Sequence, residues 1–349
     1  MNESDDEHPA PPPINGRVSS YDVAARANVS RSAVSRTFTL GASVSKSTRS
    51  KVMKAAKELG YHPNAIARSL STRRSRIVAV IVADLENPFY AKSIACVSVA
   101  LQNKGYTTLL MVAENSRAID DLIPRLLSYQ VDGVVVASST LSSTVSEYCL
   151  TVDLPVVQFN RYTKKTNVSA VYCDNFSGGV MVAELLVKTG HVRVAYVAGI
   201  EDTSSNIDRE RGLVSGLERH GRVLHSRSQG GYTYAGGYAA ANEILGSGDR
   251  PDAVFCANDI MALALIDVAS NDFGLSVPGD LSVIGFDNIP VAGFAKYGLT
   301  TIDQNIETMA AQAAEILVSL ISGSAAMPVR LAVPCELIER SSVGRRHLR

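Results

Sequence analysis

Three short valine-rich segments occur twice in this chain, in the same order, and each has the composition of a buried β-strand. Stretches with helical periodicity lie between them. Alternating strands and helices are typical of α/β folds with parallel sheets. The matching pairs, in chain order, are residues 77–83 with 192–198, residues 131–138 with 251–257, and residues 153–160 with 280–287.

The shared order of the three pairs indicates two similar halves, each a doubly wound parallel sheet. Chance similarity between valine-rich strands is the alternative, and the repeated order argues against it. Ligands bind such sheets at the carboxyl ends of the strands. We therefore expect a two-lobed α/β core over residues 77–340, with its ligand site in a cleft between the lobes.

Charge is unevenly distributed along the chain, although the formal net charge is +0. Between residues 17 and 76 the acidic residues are Asp22 and Glu58, and basic residues greatly outnumber them. Such an asymmetry is the electrostatic footprint of a polyanion site, whereas a solvated surface is the alternative. The basic residues are Arg17, Arg26, Arg31, Arg36, Lys46, Arg49, Lys51, Lys54, Lys57, Arg68, Arg73, Arg74 and Arg76.

Residues 19–61 have the pattern of a helix-turn-helix. Ser19 is a suitable N-cap for a first helix, and Asp22 is placed to complete a capping box. Asn28 follows this helix, where a tight turn requires a residue that accepts a positive φ. The pattern predicts a first helix that ends in a sharp turn.

Two further helices follow in the same region. Ser30 is placed to cap the second, which runs to about Phe38, and Ser45 and Gly60 bound a third over residues 46–59. In a helix-turn-helix the second helix presents its N-terminal side chains to base edges in the major groove, whereas an ordinary helical hairpin would not. Arginine can bind guanine through two hydrogen bonds, and serine can contact a base or a phosphate. The expected DNA-facing residues are Tyr21, Ser30, Arg31, Ser32, Ser35 and Arg36.

Two sequence segments, YDVAARANVSRSAVSR and VSKSTRSKVMKAAKELGYHPNAIARSL, closely resemble the headpiece and hinge of the LacI/GalR family of bacterial transcription regulators. The resemblance continues through the core to about residue 340, with motifs in the family's order. It implies an all-α headpiece followed by a two-lobed core like that of periplasmic binding proteins. Asn28 stands where the family usually has glycine. Arg31 and Ser32 occupy the positions that most govern operator choice, so an operator sequence cannot be transferred from a relative.

A basic connector, residues 63–76, follows the helical region. Its potential helix is only about two turns long, and isolated helices of that length are marginal in water. In the LacI/GalR family two such hinge helices meet in the DNA minor groove, where a leucine wedges between base pairs. The resemblance therefore implies DNA contacts from Asn64, Ala67 and Leu70. A plain flexible linker is the alternative.

The resemblance also implies a set of effector-binding residues in the core. Arg209 with Gly212 resembles the family's R-x-x-G segment, whose arginine binds effector oxygens. Polar side chains in the set offer donors and acceptors in fixed directions, and the aromatic rings offer flat apolar faces, so the set suits a sugar. The implied residues are Phe89, Tyr90, Asp174, Arg209, Tyr232, Asn258, Asp287 and Gln304.

Several of these residues have a structural interpretation as well. Asp174 could stabilise the fold, and Phe89 or Tyr90 could be ordinary core residues. Asp259 could cap the following helix rather than contact a ligand. Arg209 and Asp287 are the preferred candidates, because charged residues are seldom placed in a cleft without a partner.

Two other classes of protein are compatible with an α/β core. An enzyme is disfavoured because the chain lacks G-x-S-x-G, H-E-x-x-H and strand-linked G-x-G-x-x-G motifs. A secreted sugar-binding protein would carry a signal peptide, whereas residues 1–18 are acidic and proline-rich and predict a disordered tail. The five cysteines form no C-x-x-C pair and no metal spacing with histidine, which favours reduced thiols in the cytoplasm, without a metal or cofactor.

The sequence therefore predicts a cytoplasmic transcription regulator, specifically a repressor without enzymatic activity or membrane association. One headpiece covers a half-site, so we expect a homodimer on a pseudo-palindromic, double-stranded operator. Its partner in the cleft is expected to be a carbohydrate effector. The expected segments are a tail at 1–18, the helix-turn-helix at 19–62, the hinge at 63–76, the core at 77–340 and a basic tail at 341–349.

Overall fold

The computed structural model has two compact units, Met1–Ser75 and Arg76–Arg349. The described part of the first is a helical headpiece, and the second is an α/β core. The described residues are 18–39, 41–62, 74–83, 85–113, 122, 124–137, 143–163, 167–324 and 328–346.

The described part of the headpiece consists of three helices with side-chain caps. The Ser19 hydroxyl accepts a hydrogen bond from the Asp22 N–H, and the Asp22 carboxylate accepts one from the Ser19 N–H at 2.7 Å. Asn28 ends the first helix in the left-handed conformation with a φ of 52°. The predicted capping box and turn are confirmed. The helices are α1 (Ser20–Ala27), α2 (Arg31–Phe38) and α3 (Lys46–Leu59).

All three helices contribute small apolar side chains to the headpiece core. Val23, Val34 and Val52, one from each helix, are almost completely buried. The rings of Phe38 and Tyr61 close one edge of this core, with centroids 5.8 Å apart. Because each helix supplies a buried side chain, the exposed face of α2 has a fixed orientation within the headpiece.

The core unit contains two parallel sheets, a two-stranded sheet and seven helices longer than eight residues among the described residues. Its strands are β1 (Ile77–Val82), β2 (Thr107–Val112), β3 (Gly133–Ala137), β4 (Val156–Phe159), β5 (Ser169–Cys173), β6 (Val194–Ala198), β7 (Ser226–Gln229), β8 (Ala253–Cys256), β9 (Ser282–Ile284), β10 (Thr301–Asp303), β11 (Arg330–Val333) and β12 (Glu336–Ile338). Its helices are α4 (Pro88–Asn103), α5 (Ser143–Thr151), α6 (Asn175–Lys188), α7 (Ser204–Glu218), α8 (Tyr234–Gly246), α9 (Asp259–Asn271) and α10 (Ile306–Ile321).

Each parallel sheet is the centre of one lobe. The first has the strand order β11-β5-β4-β3-β1-β2, and the second has β7-β6-β8-β9. The stretch β2-β1-β3-β4 of the first sheet therefore has the same topology as the whole second sheet. The repeated segments predicted from sequence are β1, β3 and β4 in one lobe and β6, β8 and β9 in the other, which confirms two doubly wound halves.

The chain passes between the lobes at several points near the strand ends. It leaves the first lobe after β5 and returns after β10 to form α10, which packs on α4 and on the first sheet. It leaves again after β11, and β12 then pairs with β10 in an antiparallel ribbon. These connections allow the carboxyl ends of both sheets to face one cleft.

Residues 341–346, which we expected to form a separate tail, instead pack on the second lobe. Ser342 is buried, its hydroxyl accepts from the Thr300 N–H at 2.8 Å, and its carbonyl accepts from the Val283 N–H at 3.0 Å. The Arg346 N–H donates to the Thr189 carbonyl at 2.8 Å. The second lobe thus continues beyond residue 340.

Among the described helices, none combines the length and apolar character that a bilayer crossing requires.

Candidate functional site

The exposed face of α2 carries the residues predicted to contact DNA. Ala33, Val34 and Thr37 of this helix are buried in the headpiece. The predicted residues of the other face are all exposed, namely Ser30, Arg31, Ser32, Ser35 and Arg36. This division matches a recognition helix that packs on its own domain and presents polar side chains to a groove.

Tyr21 of α1 positions the arginine at the start of α2. The Arg31 Nη1 donates to the Tyr21 Oη at 2.9 Å, and its guanidinium carbon lies 4.6 Å from the Tyr21 ring centroid. Tyr21 is itself exposed. Because the guanidinium is already held, a contact between Arg31 and a base edge would cost less side-chain entropy.

Two further basic residues of the headpiece, besides Arg31, have partners within it. The Arg49 Nη1 donates to the Thr37 carbonyl at 2.9 Å and so links α3 to the end of α2. Arg26 forms an ion pair with Glu58 at 2.6 Å and links α1 to α3. The charge count from sequence therefore overstates the number of cations available to DNA.

The hinge residues Asn64, Ala67 and Leu70 lie outside the described residues. The minor-groove contacts implied for them stay predictions.

A pocket with a free volume of about 10 Å³ lies between the lobes, where the carboxyl ends of strands from both sheets meet. Ligand pockets generally measure roughly 300–1,000 Å³, so this pocket is contracted and must widen to hold a sugar-sized molecule. It brings together six of the eight predicted effector residues. Its lining residues are Asn87, Phe89, Tyr90, Asn160, Arg161, Ser205, Arg209, Tyr232, Asn258 and Asp287.

Arg209 of α7 is almost completely buried at the back of this pocket. Its Nε donates to the Asn175 Oδ1 at 2.8 Å, and its Nη1 donates to the Ala257 carbonyl at 2.5 Å. The guanidinium lies 3.6 Å from the Phe286 ring centroid and 3.7 Å from the Asp287 carboxylate. These partners make a buried cation tolerable and fix the direction of its remaining N–H groups.

Asp287 follows β9 and has a φ of 125°, a strained value for a residue with a side chain. The Gln304 Nε2 donates to its Oδ1 at 2.5 Å. Burial raises the pKa of Asp287 to about 8, and nearby Arg209 opposes that rise. Near neutral pH the carboxyl group is therefore able either to donate or to accept a hydrogen bond.

Three aromatic rings form apolar faces of the pocket. Phe89 and Tyr90 begin α4 and meet edge to face, with ring centroids 5.2 Å apart. Tyr232 packs on the backbone of Gly199, where a Cβ atom would lie 2.1 Å from the tyrosine Cζ. The Tyr232 hydroxyl is 3.0 Å from the Ser205 Oγ. Flat rings next to polar groups suit the CH faces and hydroxyl rims of sugars.

Asp174 and Gln304 are the predicted residues outside the pocket lining. Asp174 caps α6, accepting from the Ser177 N–H at 3.1 Å and from its hydroxyl at 2.7 Å. The structure therefore gives Asp174 the structural role that the sequence left open. Gln304 lies outside the pocket lining and donates a hydrogen bond to Asp287, which lines it. The Gln304 Oε1 is buried without a hydrogen-bond partner among the described residues.

The capping role considered for Asp259 was wrong, because its neighbour Asn258 is the N-cap of α9 and accepts from the Met261 N–H at 3.1 Å. Asp259 instead accepts from the Ile289 N–H at 2.8 Å and from the Thr301 hydroxyl at 2.5 Å. It therefore ties the loop after β9 to β10. Burial raises the pKa of Asp259 to about 6.

The sequence analysis missed four pocket residues: Asn87, Asn160, Arg161 and Ser205. A signal for one of them was present, because the internal repeat aligns Asn160 with Asp287 as the last residue of matching segments. The Asn160 Nδ2 donates to the Tyr90 Oη at 3.5 Å, and its buried Oδ1 has no hydrogen-bond partner among the described residues. A ligand hydroxyl could supply that missing donor.

The glycine of the R-x-x-G segment allows α7 to approach α6. A Cβ atom on Gly212 would lie 2.1 Å from the Phe176 carbonyl oxygen, well inside van der Waals contact. The same helix, α7, carries Arg209 and Ser205 of the pocket lining.

Gly212→Ala is expected to lower the free energy of unfolding of the core by about 1–3 kcal/mol, the usual cost of overpacking. Urea denaturation of the full chain measures the change. Gly246→Ala is the matched control, because the nearest atom to its added Cβ is 4.0 Å away, on Phe273. Equal stability of the two variants would contradict the close helix contact.

Comparison with known proteins gives the same two-part division. The family model for bacterial regulatory proteins of the lacI family matches residues 20–64, and the model for a periplasmic binding protein-like domain matches residues 183–343. The HTH-type transcriptional regulator CelR of Thermobifida fusca is 35% identical over 332 residues, which span 92% of this chain and 96% of CelR.

Two solved structures match this chain over nearly its whole length. The lac repressor dimer bound to operator and the anti-inducer ONPF has a TM-score of 0.85 at 26% identity and covers 94% of this chain and 99% of that one. A complex of the transcriptional regulator CelR with cellobiose has a TM-score of 0.72 at 34% identity. The match covers 93% of this chain and 100% of that one.

The chain belongs to the lacI family of bacterial regulatory proteins. Its function is that of a DNA-binding transcription regulator that responds to a small-molecule effector.

Proposed function

We propose that the pocket between the lobes binds a sugar or sugar derivative, and that this effector controls how tightly the headpiece holds operator DNA. The observation that carries the proposal is the pocket itself. It combines a buried arginine, a buried aspartate and several amide groups with three aromatic rings. Directed polar groups beside flat apolar faces are the chemistry that carbohydrate recognition requires. The structure of the relative CelR in complex with cellobiose supports this class of ligand.

The contracted volume of the pocket supports a link between ligand binding and lobe movement. A sugar cannot enter about 10 Å³ of free space unless residues of the two lobes separate. A ligand shifts an equilibrium only by its differential affinity for the two states. An effector that fits the wider pocket therefore favours a more open arrangement of the lobes.

On the DNA side, we propose that Arg31, Ser32, Ser35 and Arg36 read base edges while Tyr21 and Ser30 support them. One headpiece covers one half-site, so a homodimer would read a pseudo-palindromic operator. The structural relative is a dimer bound to operator. The name of that relative also supports repression as the mode of regulation.

The effector class is tested by thermal shift of the full chain with mono- and disaccharides, cellobiose among them, beside sugar acids and nucleobases. A ligand at about 100 times its dissociation constant stabilises a protein by about 2.7 kcal/mol. That corresponds to a rise in melting temperature of roughly 5 °C for a unit of this size. A shift with a sugar supports the proposal. Shifts only with nucleobases would replace the sugar with another effector class.

Relatives that are transcription regulators support a role without catalysis, and we propose that the protein has none. We also propose that it acts in the cytoplasm, where its DNA target is found. Turnover of any ligand found in the thermal-shift panel, measured by mass spectrometry after incubation, would contradict the first of these proposals.

A further inference from the structure

Tyr162 connects the two lobes beside the pocket without lining it. It lies in the segment after β4, in the first lobe, and its N–H donates to the Ser204 Oγ at 3.0 Å. Its hydroxyl donates to the Asp208 Oδ2 at 2.8 Å. Ser204 and Asp208 both belong to α7 of the second lobe, one turn apart. We call these three residues the interlobe clamp.

The clamp residues are immediate neighbours of the pocket residues on both sides of the cleft. Tyr162 follows Arg161, and on α7 Ser204 and Asp208 precede Ser205 and Arg209 by one position each. Two walls of the pocket are therefore held together through bonds made by adjacent residues. Lengthening the bonds of the clamp would move the walls of the pocket apart.

The tyrosine side of the clamp is firmly placed. The Tyr162 ring packs on Tyr172 of β5, with centroids 4.4 Å apart, so the phenol is anchored to the first sheet. Burial and the bond to Asp208 raise the pKa of Tyr162. The hydroxyl therefore keeps its proton and remains a donor across the physiological pH range.

A second contact crosses the cleft next to the clamp. The Arg161 guanidinium lies 5.3 Å from the ring centroid of Tyr232, whose hydroxyl contacts Ser205. Both partners line the pocket, so an effector would compete with this contact. The clamp lies outside the pocket and would persist until the lobes separate.

We infer that Tyr162, through Ser204 and Asp208, is a positioning residue that holds the effector pocket in its contracted form. This inference rests on the proposed function of the pocket and adds to it the contact that holds the two pocket walls together. Removing the phenol hydroxyl should shift the population towards a wider cleft, and it removes only one oxygen atom from a ring that stays packed on Tyr172.

Hydroxyl-radical labelling of the full chain, read by mass spectrometry, tests the clamp without any ligand. Phe89 and Tyr90 are 2% and 5% exposed in the contracted pocket. Tyr162→Phe and Asp208→Ala should each raise labelling of these two rings at least threefold. Tyr238→Phe is the matched control, because it removes a similar tyrosine–aspartate bond, to Asp272 at 2.6 Å, that lies within the second lobe.

Labelling of Phe255, which is fully buried in the second lobe, separates opening of the cleft from general loosening. It should stay at the wild-type level in every variant. Unchanged labelling of Tyr90 in Tyr162→Phe, or an equal rise at Phe255, would overturn the inference. Because no ligand is used, failure of the clamp leaves the effector proposal standing, and failure of all sugars to bind leaves the clamp testable.

Discussion

Replacing Arg209 with methionine is expected to abolish the effector response while leaving operator binding intact. The change removes the buried guanidinium that faces the pocket and keeps most of its apolar volume. Each lost hydrogen bond from a charged group costs about 1.5–3 kcal/mol, or roughly 10- to 150-fold in affinity. Thermal shift with the best ligand of the sugar panel measures the loss.

The fold should survive this change. Leaving a charge unpaired in a core costs about 3–5 kcal/mol, but Asp287 can take up a proton, because burial already raises its pKa to about 8. Arg219→Met is the matched control, since this arginine is the C-cap of the same helix and is exposed. A normal ligand shift in Arg209→Met would contradict the assignment of the pocket.

Arg31→Ala should remove most of the base preference at one position in each half-site. A bidentate arginine–guanine contact contributes about 1–3 kcal/mol of discrimination, equivalent to roughly 5- to 150-fold. The variant should lose affinity for the operator rather than for DNA in general. Arg31 lies at the start of α2 and not among the cations of α3. Anisotropy titrations of operator variants, chosen by selection from random DNA and measured at one salt concentration, give the discrimination ratio.

Lys57→Ala is the control for charge, because Lys57 is an exposed cation of α3. The variant should bind all DNA sequences more weakly, by the same factor. If Lys57 contacts a phosphate, the slope of log affinity against log salt concentration should decrease in magnitude by about one. The interpretation of α2 as the recognition helix is wrong if Arg31→Ala keeps the wild-type discrimination ratio.

Much of the fold could be predicted because its signals are local. Ser19, Asp22 and Asn28 predict the start and end of α1, since capping depends only on residues a few positions apart. The repeated strands predict two equivalent sheets, because buried parallel strands must be apolar on both faces. The boundary at residue 340 was less accurate, since Ser342 pairs with residues more than forty positions away.

The site was predicted less completely, because ligand contact and structural support use the same residue types. Asp174 and Asn258 are both helix caps, and only the three-dimensional structure places one of them in the pocket. Arg161 follows a strand of the first lobe and has no motif of its own. The bond from Tyr162 to Asp208 joins residues of different lobes, and no spacing in the sequence predicts it.

The most direct test of the account is a titration of labelled operator with the full chain, without ligand and with a saturating concentration of the sugar that gives the largest thermal shift. Coupling between two sites is typically about 1–3 kcal/mol. The account predicts that the operator dissociation constant changes by roughly fivefold or more, and that operator changes sugar affinity by the same factor. An unchanged operator dissociation constant with the sugar fully bound would contradict the claim that the pocket controls the headpiece.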